Sequence, residues 1–272
     1  MISRPTSSTP AAVLAAFALA SLSAAPAAAQ EGGDGHIVTI GLGAQAFPQY
    51  PGANSYSIYP MPIFGLRREG RPMPFVAHDQ GIGFEILATD SVVNFGPAFQ
   101  LRARRREDDV GAPVGNVGYT IEAGGFVQLF PARNVRLRGE LRQGIGGHRG
   151  LVGDLGADFV IRDADTYIFS LGPRARWGDD DFHRAYFGVS PAAALASGLP
   201  AYTPRSGFYA VGGMAGLTYK LGRNWGMRSY LGYDRLIRDA AASPIVRRFG
   251  SRDQFSGGAG LFLEFAVGGH RR

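Results

Sequence analysis

The sequence predicts an all-β protein: a transmembrane antiparallel β-barrel of about 12 strands that follows a cleaved signal peptide. Three observations lead to this fold class. The chain begins with a secretory leader, it has no continuous apolar run of 18 residues after residue 30, and from residue 36 onward apolar and polar side chains alternate in short runs. A closed barrel satisfies every backbone hydrogen-bonding group within hydrocarbon, so strands can cross a membrane where no helix can.

The first 29 residues have the three parts of a secretory signal. Arg4 supplies the positive charge, Ala11–Leu22 form the apolar stretch, and the small residues at 27–29 match an A-x-A cleavage site. We therefore predict two segments, a signal peptide at residues 1–29 and an outer-membrane β-barrel at residues 30–272.

The composition limits the compartment and the partners. The 272 residues include no cysteine, which excludes a disulfide framework in an oxidising compartment. The net charge of +6 comes almost entirely from arginine, since Lys220 is the only lysine. No helix-turn-helix, RNA-binding or zinc pattern is present, so we predict no nucleic-acid partner and expect contact with outer-membrane lipid.

The predicted strands are alternating runs bounded by Gly, Pro, Asp and Asn. No domain boundary or low-complexity linker interrupts them. They lie near His36–Phe47, Tyr56–Arg67, Met73–Leu87, Val92–Arg105, Tyr119–Phe130, Val135–Ile145, Leu151–Arg162, Thr166–Trp177, Phe182–Val189, Gly207–Leu221, Trp225–Ile237 and Gln254–Phe265.

The last of these runs, Gln254–Phe265, shows the pattern most clearly. One of its faces is entirely apolar, which in an exported chain can point into a soluble core or into lipid. We interpret it as the final strand of the barrel, pairing with the first strand. Alternation alone leaves a soluble β-sandwich open, because such a sandwich also has one apolar and one polar face on each strand.

Aromatic residues favour the membrane. Tyr167 and Trp177 lie ten residues apart on one face of a predicted strand, and Tyr209 and Tyr219 repeat this spacing on another. Ten residues of strand span about 34 Å. A tilt of roughly 40° reduces this to about 26 Å, close to the height of the apolar band between two aromatic girdles. The four residues are therefore predicted girdle positions.

Charged side chains occupy the opposite face of many strands and would line the barrel lumen. One interpretation is an anion-selective pore. The other, which we favour, is a lumen braced by arginine–carboxylate pairs, because buried charges must be paired to be tolerated and arginine pairs in bidentate fashion. The predicted lumen charge network contains Arg102, Arg104, Glu122, Arg136, Arg138, Glu140, Arg142, Asp154, Asp158, Arg174, Arg176, Arg228 and Glu264.

No pattern indicates catalysis. None of the five histidines is followed two residues later by serine, the pattern of outer-membrane lipid hydrolases. Asp179–His183 (DDDFH) could hold a divalent cation or form a protease-like site, but a polar turn explains it better, since Asp is favoured in turns. We predict no catalytic residue, no cofactor and no metal site, and expect that the protein is not an enzyme.

Two long connections, Ser190–Ser206 and Arg238–Arg252, follow odd-numbered predicted strands. With an even strand count they point outward, which matches the short periplasmic turns and long outer loops of bacterial barrels. The segment Arg106–Gly118 is also long but falls on the predicted periplasmic side. This conflict indicates that the strand count is off by one in this region.

The loops resemble those of a known family. The sequences of Tyr186–Pro204, Asp239–Val246 and Gly250–Leu261, together with Phe47–Phe64, are similar to the MipA/OmpV family (MltA-interacting protein) of Gram-negative outer-membrane proteins. Here the chain continues after Phe265 as AVGGHRR, whereas family members usually stop at the terminal aromatic residue.

The resemblance implies a barrel in the cell outer membrane. For some members it also implies a scaffold role in cell-wall synthesis, joining a murein lytic transglycosylase to a penicillin-binding protein. We therefore expect a non-catalytic scaffold or interaction protein with these two enzymes as partners. The alternatives are a small-solute, anion-preferring channel and a surface adhesin.

Overall fold

A computed structural model describes residues 35–83, 85–86, 92–163 and 166–268. The predicted signal peptide at residues 1–29 lies outside the described residues, and so do the last four residues of the chain.

The described residues form one antiparallel sheet of eleven strands. The strand order across the sheet is β2-β1-β11-β10-β9-β8-β7-β6-β5-β4-β3. The strands are β1 (His36–Pro48), β2 (Tyr56–Arg68), β3 (Ile82–Gly83), β4 (Val93–Arg102), β5 (Thr120–Ala132), β6 (Val135–Gly146), β7 (Leu151–Asp163), β8 (Tyr167–Gly178), β9 (Gly207–Lys220), β10 (Trp225–Leu236) and β11 (Asp253–Val267).

Short helices occupy the connections. They are α1 (Glu107–Val110), α2 (Asp180–Phe187), α3 (Pro191–Ser197), α4 (Arg238–Ala242) and α5 (Pro244–Phe249). In the part of the chain that is described, no helix has the length and apolar character needed to span a membrane.

The first and last strands pair with each other, as the sequence predicts. The register of β1 and β11 runs from His36 opposite Val267 to Ala46 opposite Gly257. The edges of the sheet are instead β2 and β3, and no pairing joins these two strands among the described residues. Pro60 lies in β2, and a proline lacks the N–H that a second neighbour would need, so its position is typical of an edge strand.

The two faces of the strands decide between a soluble sandwich and a membrane barrel. Large apolar side chains face outward all around the sheet; Ile58 is 78% exposed and Leu231 is 73% exposed. Charged side chains face inward, where Glu122 and Arg142 are almost completely buried. This polarity is the reverse of that in a soluble protein and is the one expected for a wall that contacts acyl chains. The protein is a transmembrane antiparallel β-barrel.

The two ends of the barrel differ. At one end, which we call the terminal end, the start of β1 and the end of β11 meet the short turns between β5 and β6, β7 and β8, and β9 and β10. At the other, the loop end, lie the long connections and all of the described helices. Buried apolar residues from these connections and from the adjoining strand ends form one cluster, the loop-end cap. It comprises Tyr50, Ala53, Val110, Ala112, Val114, Val117, Val152, Phe182, Tyr186, Phe187, Val189, Tyr209, Ala210, Leu236, Ala240, Ile245 and Val246.

The third predicted strand is largely wrong. Within Met73–Leu87 only Ile82–Gly83 are described as strand. Residues 72–81, which we call the luminal segment, instead pass through the inside of the barrel, where they contact inward side chains of β6, β7, β8 and β10. Because β2 and β3 stand at opposite edges of an eleven-stranded antiparallel sheet, they run in the same direction, and the luminal segment makes the return between them.

The ninth predicted strand is also wrong, because Phe182–Val189 falls mostly in helix α2. Asp179 begins this helix by accepting a hydrogen bond from the Phe182 N–H at 2.9 Å, which is N-capping. The described sheet therefore has eleven strands, one fewer than predicted, and the two errors cancel only in strand direction, from β9 onward. From β4 to β8 every strand runs opposite to its predicted direction. The connection at Arg106–Gly118 therefore lies at the loop end with the other long loops, which removes the conflict seen in the sequence.

Candidate functional site in the barrel lumen

The predicted lumen charges come from alternate positions of neighbouring strands, and the structure brings most of them into one connected network. The network begins at Arg102 on β4 and ends at Asp234 on β10. Of the predicted residues, it joins Arg102, Glu122, Arg136, Arg138, Glu140, Arg142, Asp154, Asp158, Arg174 and Arg176.

Arg142 on β6 is the hub of the network. Its guanidinium reaches three carboxylates: Glu122 on β5, Glu140 on β6 and Asp154 on β7. Glu122 also accepts from Arg102 Nε at 2.6 Å and contacts His148 Nε2 at 3.0 Å. Three buried cationic or hydrogen-bonding partners therefore hold one fully buried carboxylate, which is how a buried charge becomes tolerable.

A second part of the network crosses from β6 to β8. Asp158 on β7 lies between Arg136 and Arg174, at 2.8 Å from an Nη of the first and 2.7 Å from an Nη of the second. On β8, Arg176 contacts Asp154 at 3.0 Å and Asp234 at 2.7 Å. Each arginine thus has at least one carboxylate partner on a neighbouring part of the wall.

The luminal segment is bound into this network. Asp79 Oδ2 lies 2.7 Å from Arg174 Nε and 3.3 Å from Arg176 Nη2. Gln80 accepts from Arg136 Nη1 at 2.8 Å. The wall therefore holds the segment through polar contacts with side chains that already have wall partners.

Apolar contacts hold the rest of the luminal segment. Met73 packs against Val160 on β7 and Ile168 on β8, toward the terminal end. Further along, the His78 ring stacks on Tyr230 of β10, with 4.7 Å between ring centroids. The segment therefore contacts several neighbouring strands of the wall as it ascends.

Three predicted lumen residues, Glu264, Arg228 and Arg104, lie outside the main network. Glu264 on β11 belongs to a separate cluster, where it contacts Lys220 Nζ at 2.7 Å and Arg67 Nη2 at 3.5 Å. Arg228 on β10 forms no hydrogen bond or ion pair with another described residue, and its Nε is completely buried. Arg228 is the exception to the pairing that we expected.

Arg104 does not join the lumen network. Strand β4 ends at Arg102, so the alternation that assigned Arg104 to the lumen no longer applies, and its guanidinium lies over the Tyr119 ring. Arg105 is the buried residue instead: it donates at 3.0 Å to the carbonyl oxygens of Tyr186 and Gly115. Burial lowers the pKa of Arg105, and these contacts tie the connection after β4 to the loop-end cap.

Residues 40–265 match the family model of MipA, the MltA-interacting protein. The chain belongs to the MipA family. This match covers most of the chain and agrees with the resemblance seen in its loops, and it places this MipA protein in the outer membrane.

The solved structures similar to this MipA protein include three from Pseudomonas. An outer-membrane channel from Pseudomonas putida F1 has 11% identity and a TM-score of 0.44, over 89% of this chain and 99% of that one. The N-terminal β-barrel domain of OprF from Pseudomonas aeruginosa has 14% identity and a TM-score of 0.24, over 64% and 96%. A FadL homologue from Pseudomonas aeruginosa has 9% identity and a TM-score of 0.31, over 87% and 90%. No protein with a curated description matches significantly.

The predicted girdle of this MipA protein needs one correction. Tyr167 and Tyr219 are paired neighbours on β8 and β9 near the terminal end, and Trp177 lies on the same row of β8 near the loop end. Tyr209, however, is only 5% exposed and belongs to the loop-end cap. A β-bulge shifts the register so that Trp177 lies opposite Phe208, which turns Tyr209 inward.

The cluster at Asp179–His183 lies at the loop end and makes structural contacts, in a helix start rather than the predicted polar turn. Asp179 caps helix α2, and Asp181 pairs with Arg184 on the helix surface. His183 is buried, and its Nδ1 contacts the Asp179 carbonyl oxygen at 2.9 Å. Burial lowers the pKa of His183, so the neutral ring is favoured. Among the described residues no group of histidine and acidic side chains is arranged to hold a metal ion.

Several lumen residues were missed from the sequence. Asp234 follows Arg228 by six positions on β10 and so shares its inward row, a signal that alternation could have supplied. His148 lies in a turn, and Asp79 and Gln80 lie on the luminal segment, so alternation along strands says nothing about them. Chemically, the completed site is a set of paired charges that fixes the luminal segment inside the wall.

Proposed function

We propose that this chain is a non-catalytic outer-membrane scaffold whose partners bind to its surface. A murein lytic transglycosylase of the MltA type is the first partner, and a penicillin-binding protein is the second. The observation that supports this most is the filled lumen. A barrel whose interior is occupied acts through its ends rather than by passing solutes through its centre.

The lumen is filled at three levels. Toward the terminal end, Met73 packs on the wall at Val160. At mid-height Asp79 is bound between two arginines. At the loop end the cap buries Phe182 completely. A solute would have to displace the luminal segment and the cap in order to cross.

The terminal end is the surface that a cell-wall enzyme would meet. Bacterial barrels have short periplasmic turns, and the short turns of this protein lie at the same end as the start of β1 and the end of β11. Exposed arginines mark this end: Arg68 at the end of β2, Arg133 in the turn before β6, and Arg223 in the turn before β10. A partner with an acidic face would complement them.

Co-purification tests the proposal. The full-length protein should retain a murein lytic transglycosylase and a penicillin-binding protein from the same cell envelope, identified by mass spectrometry. Replacing Arg68, Arg133 and Arg223 by glutamate should weaken their retention. The matched control replaces the exposed loop-end residues Arg205, Arg247 and Arg248 by glutamate and should retain both enzymes. Equal retention by the two triple variants would exclude the terminal end as the contact surface.

A small-solute channel is the second candidate, and Arg228 is the observation that favours it, because an unpaired luminal cation attracts anions. Planar-bilayer recording separates the two functions. Electrical silence of the purified protein supports the scaffold. Steady single-channel steps with anion preference support the channel.

A further inference from the structure

Asp79, the acid that fixes the luminal segment, does not lie on a strand of the wall, unlike the wall carboxylates that it neighbours. Asp79 lies on residues 72–81, whose backbone is described as neither strand nor helix, and two prolines, Pro72 and Pro74, precede it. Its side chain is well buried among arginines. The carboxylate of Asp79 therefore reaches the lumen on a segment that does not pair with any strand of the sheet.

Both arginines that bind Asp79 have other partners. Arg174 retains Asp158 at 2.7 Å, and Arg176 retains Asp154 at 3.0 Å and Asp234 at 2.7 Å. Withdrawal of Asp79 would therefore leave neither guanidinium without a carboxylate. It would free Arg174 Nε and one Nη of Arg176 as donors that point at the same place. Two such donors match an incoming carboxylate or phosphate.

The other side of the luminal segment carries an unneutralised charge. The Nε of Arg228 is completely buried and lacks a partner among the described residues, and the same holds for Nε2 of His78. Arg228 is half-buried, and a buried donor nitrogen without a partner is costly and calls for a counter-ion or water. Arg228 is therefore a luminal positive charge that no carboxylate of the described residues neutralises.

We propose that the lumen contains a binding site for a small solute bearing a carboxylate or phosphate group, and that Asp79 occupies this site as an internal ligand. Arg174 and Arg176 bind the anionic group, and Arg228 supplies the attraction that draws it past the luminal segment. The solute and Asp79 compete, so binding displaces the segment. This site is separate from the partner-binding surface at the terminal end and does not depend on it.

Inorganic phosphate is the probe for the first test. The full-length protein and its variant Asp79→Asn are folded in detergent and titrated with phosphate at constant ionic strength against chloride, with the thermal midpoint as readout. Removing the internal competitor should tighten the apparent phosphate affinity by at least about tenfold. Asp181→Asn, which removes an acid from an exposed pair on α2, should bind phosphate as the wild type does.

A second substitution locates the effect. Arg174→Gln in the Asp79→Asn background should abolish the gained phosphate affinity, because one of the two converging donors is lost. Equal phosphate affinity in Asp79→Asn and the wild type would overturn the proposal. Retained affinity after Arg174→Gln would also overturn it.

If Asp79→Asn does not fold, hydrogen exchange of the unmodified protein decides the matter. Phosphate should speed the exchange of amides in residues 72–81 relative to chloride at equal ionic strength, and exchange in β6 should stay constant. Unchanged exchange in the luminal segment would refute displacement.

Discussion

The carboxylate of Asp79 accepts a hydrogen bond from Arg174 Nε at 2.7 Å, although only the arginine belongs to the barrel wall. The wall positions its charges by strand alternation, so their directions are fixed by the sheet. Asp79 is positioned by its partners alone. This one contact connects the wall to a segment that is not part of the sheet.

Glu122 should be the most sensitive carboxylate of the wall. It is completely buried and contacts Arg102, Arg142 and His148. Glu122→Gln leaves Arg102 without its carboxylate partner and takes one of three carboxylates from the buried Arg142. It should cost about 3 kcal/mol of unfolding free energy, in the range found when one partner of a buried ion pair is removed. Urea unfolding of the detergent-folded protein measures this cost.

The control for Glu122 is an exposed pair. Asp181 and Arg184 are more than half exposed on α2, so Asp181→Asn should change stability by less than about 0.5 kcal/mol. Equal effects of the two substitutions would mean that the lumen pairs are solvated and do not brace the wall.

Gly172 should be essential for the pairing of β7 and β8. A Cβ at this position would lie 1.6 Å from the Ala157 carbonyl oxygen, so even alanine forces the two backbones apart. Gly172→Ala should lower the yield of folded barrel, seen as loss of heat-modifiable mobility on an unheated gel. Gly139→Ala is the matched control, because its nearest neighbour is a Leu155 methyl group at 3.4 Å, and it should fold normally.

Strand alternation predicted most of the wall but could not distinguish an extended segment from a paired strand. The ends of β6 differ from the predicted Val135–Ile145 by a single residue. In residues 73–77 burial alternates, with Met73 and Ala77 buried and the intervening Pro74 and Val76 exposed, because an extended chain packed against a wall shows the same period as a strand. At Phe182–Val189 the helical signal was present: Asp179 is a favoured N-cap, and Phe182 and Tyr186 are four residues apart.

The site was predictable to the same extent as the wall. Arg174 and Asp158 follow from their inward rows on adjacent strands, so the sequence can place them together. The contact between Asp79 and Arg174 spans 95 residues and depends on a non-strand path, for which no periodicity exists. The burial of Arg105 was not predicted for a related reason: β4 ends before this residue, and contacts with the loop-end cap set the direction of its side chain.

The loop-end cap should weaken as the pH falls below about 6.5, the ordinary pKa of histidine. Burial lowers the pKa of His183 despite the opposing carboxylates of Asp179, Asp180 and Asp239. The unfolded chain therefore binds more protons than the native state between these two pKa values, and stability declines with falling pH in that window. Thermal midpoints measured from pH 7.5 to 5 should show the decline in the wild type.

His183→Asn isolates this contribution, because the asparagine amide can still donate to the Asp179 carbonyl oxygen but does not titrate. The difference in thermal midpoint between the variant and the wild type should shift in favour of the variant as the pH is lowered. A difference that is independent of pH would assign the acid sensitivity to other groups.

The path of the luminal segment can be tested by cross-linking, which the absence of native cysteine makes clean. Met73 packs against Val160, which faces the lumen from β7, so Met73→Cys combined with Val160→Cys should be joined by a short bifunctional thiol reagent. Mobility on a denaturing gel reports the cross-link. Met73→Cys combined with Leu171→Cys is the control, because Leu171 is 55% exposed on the outer face of β8 and the wall separates the two thiols. Cross-linking of the control pair at the same rate would place residues 72–81 outside the barrel, and the filled lumen would then have to be abandoned.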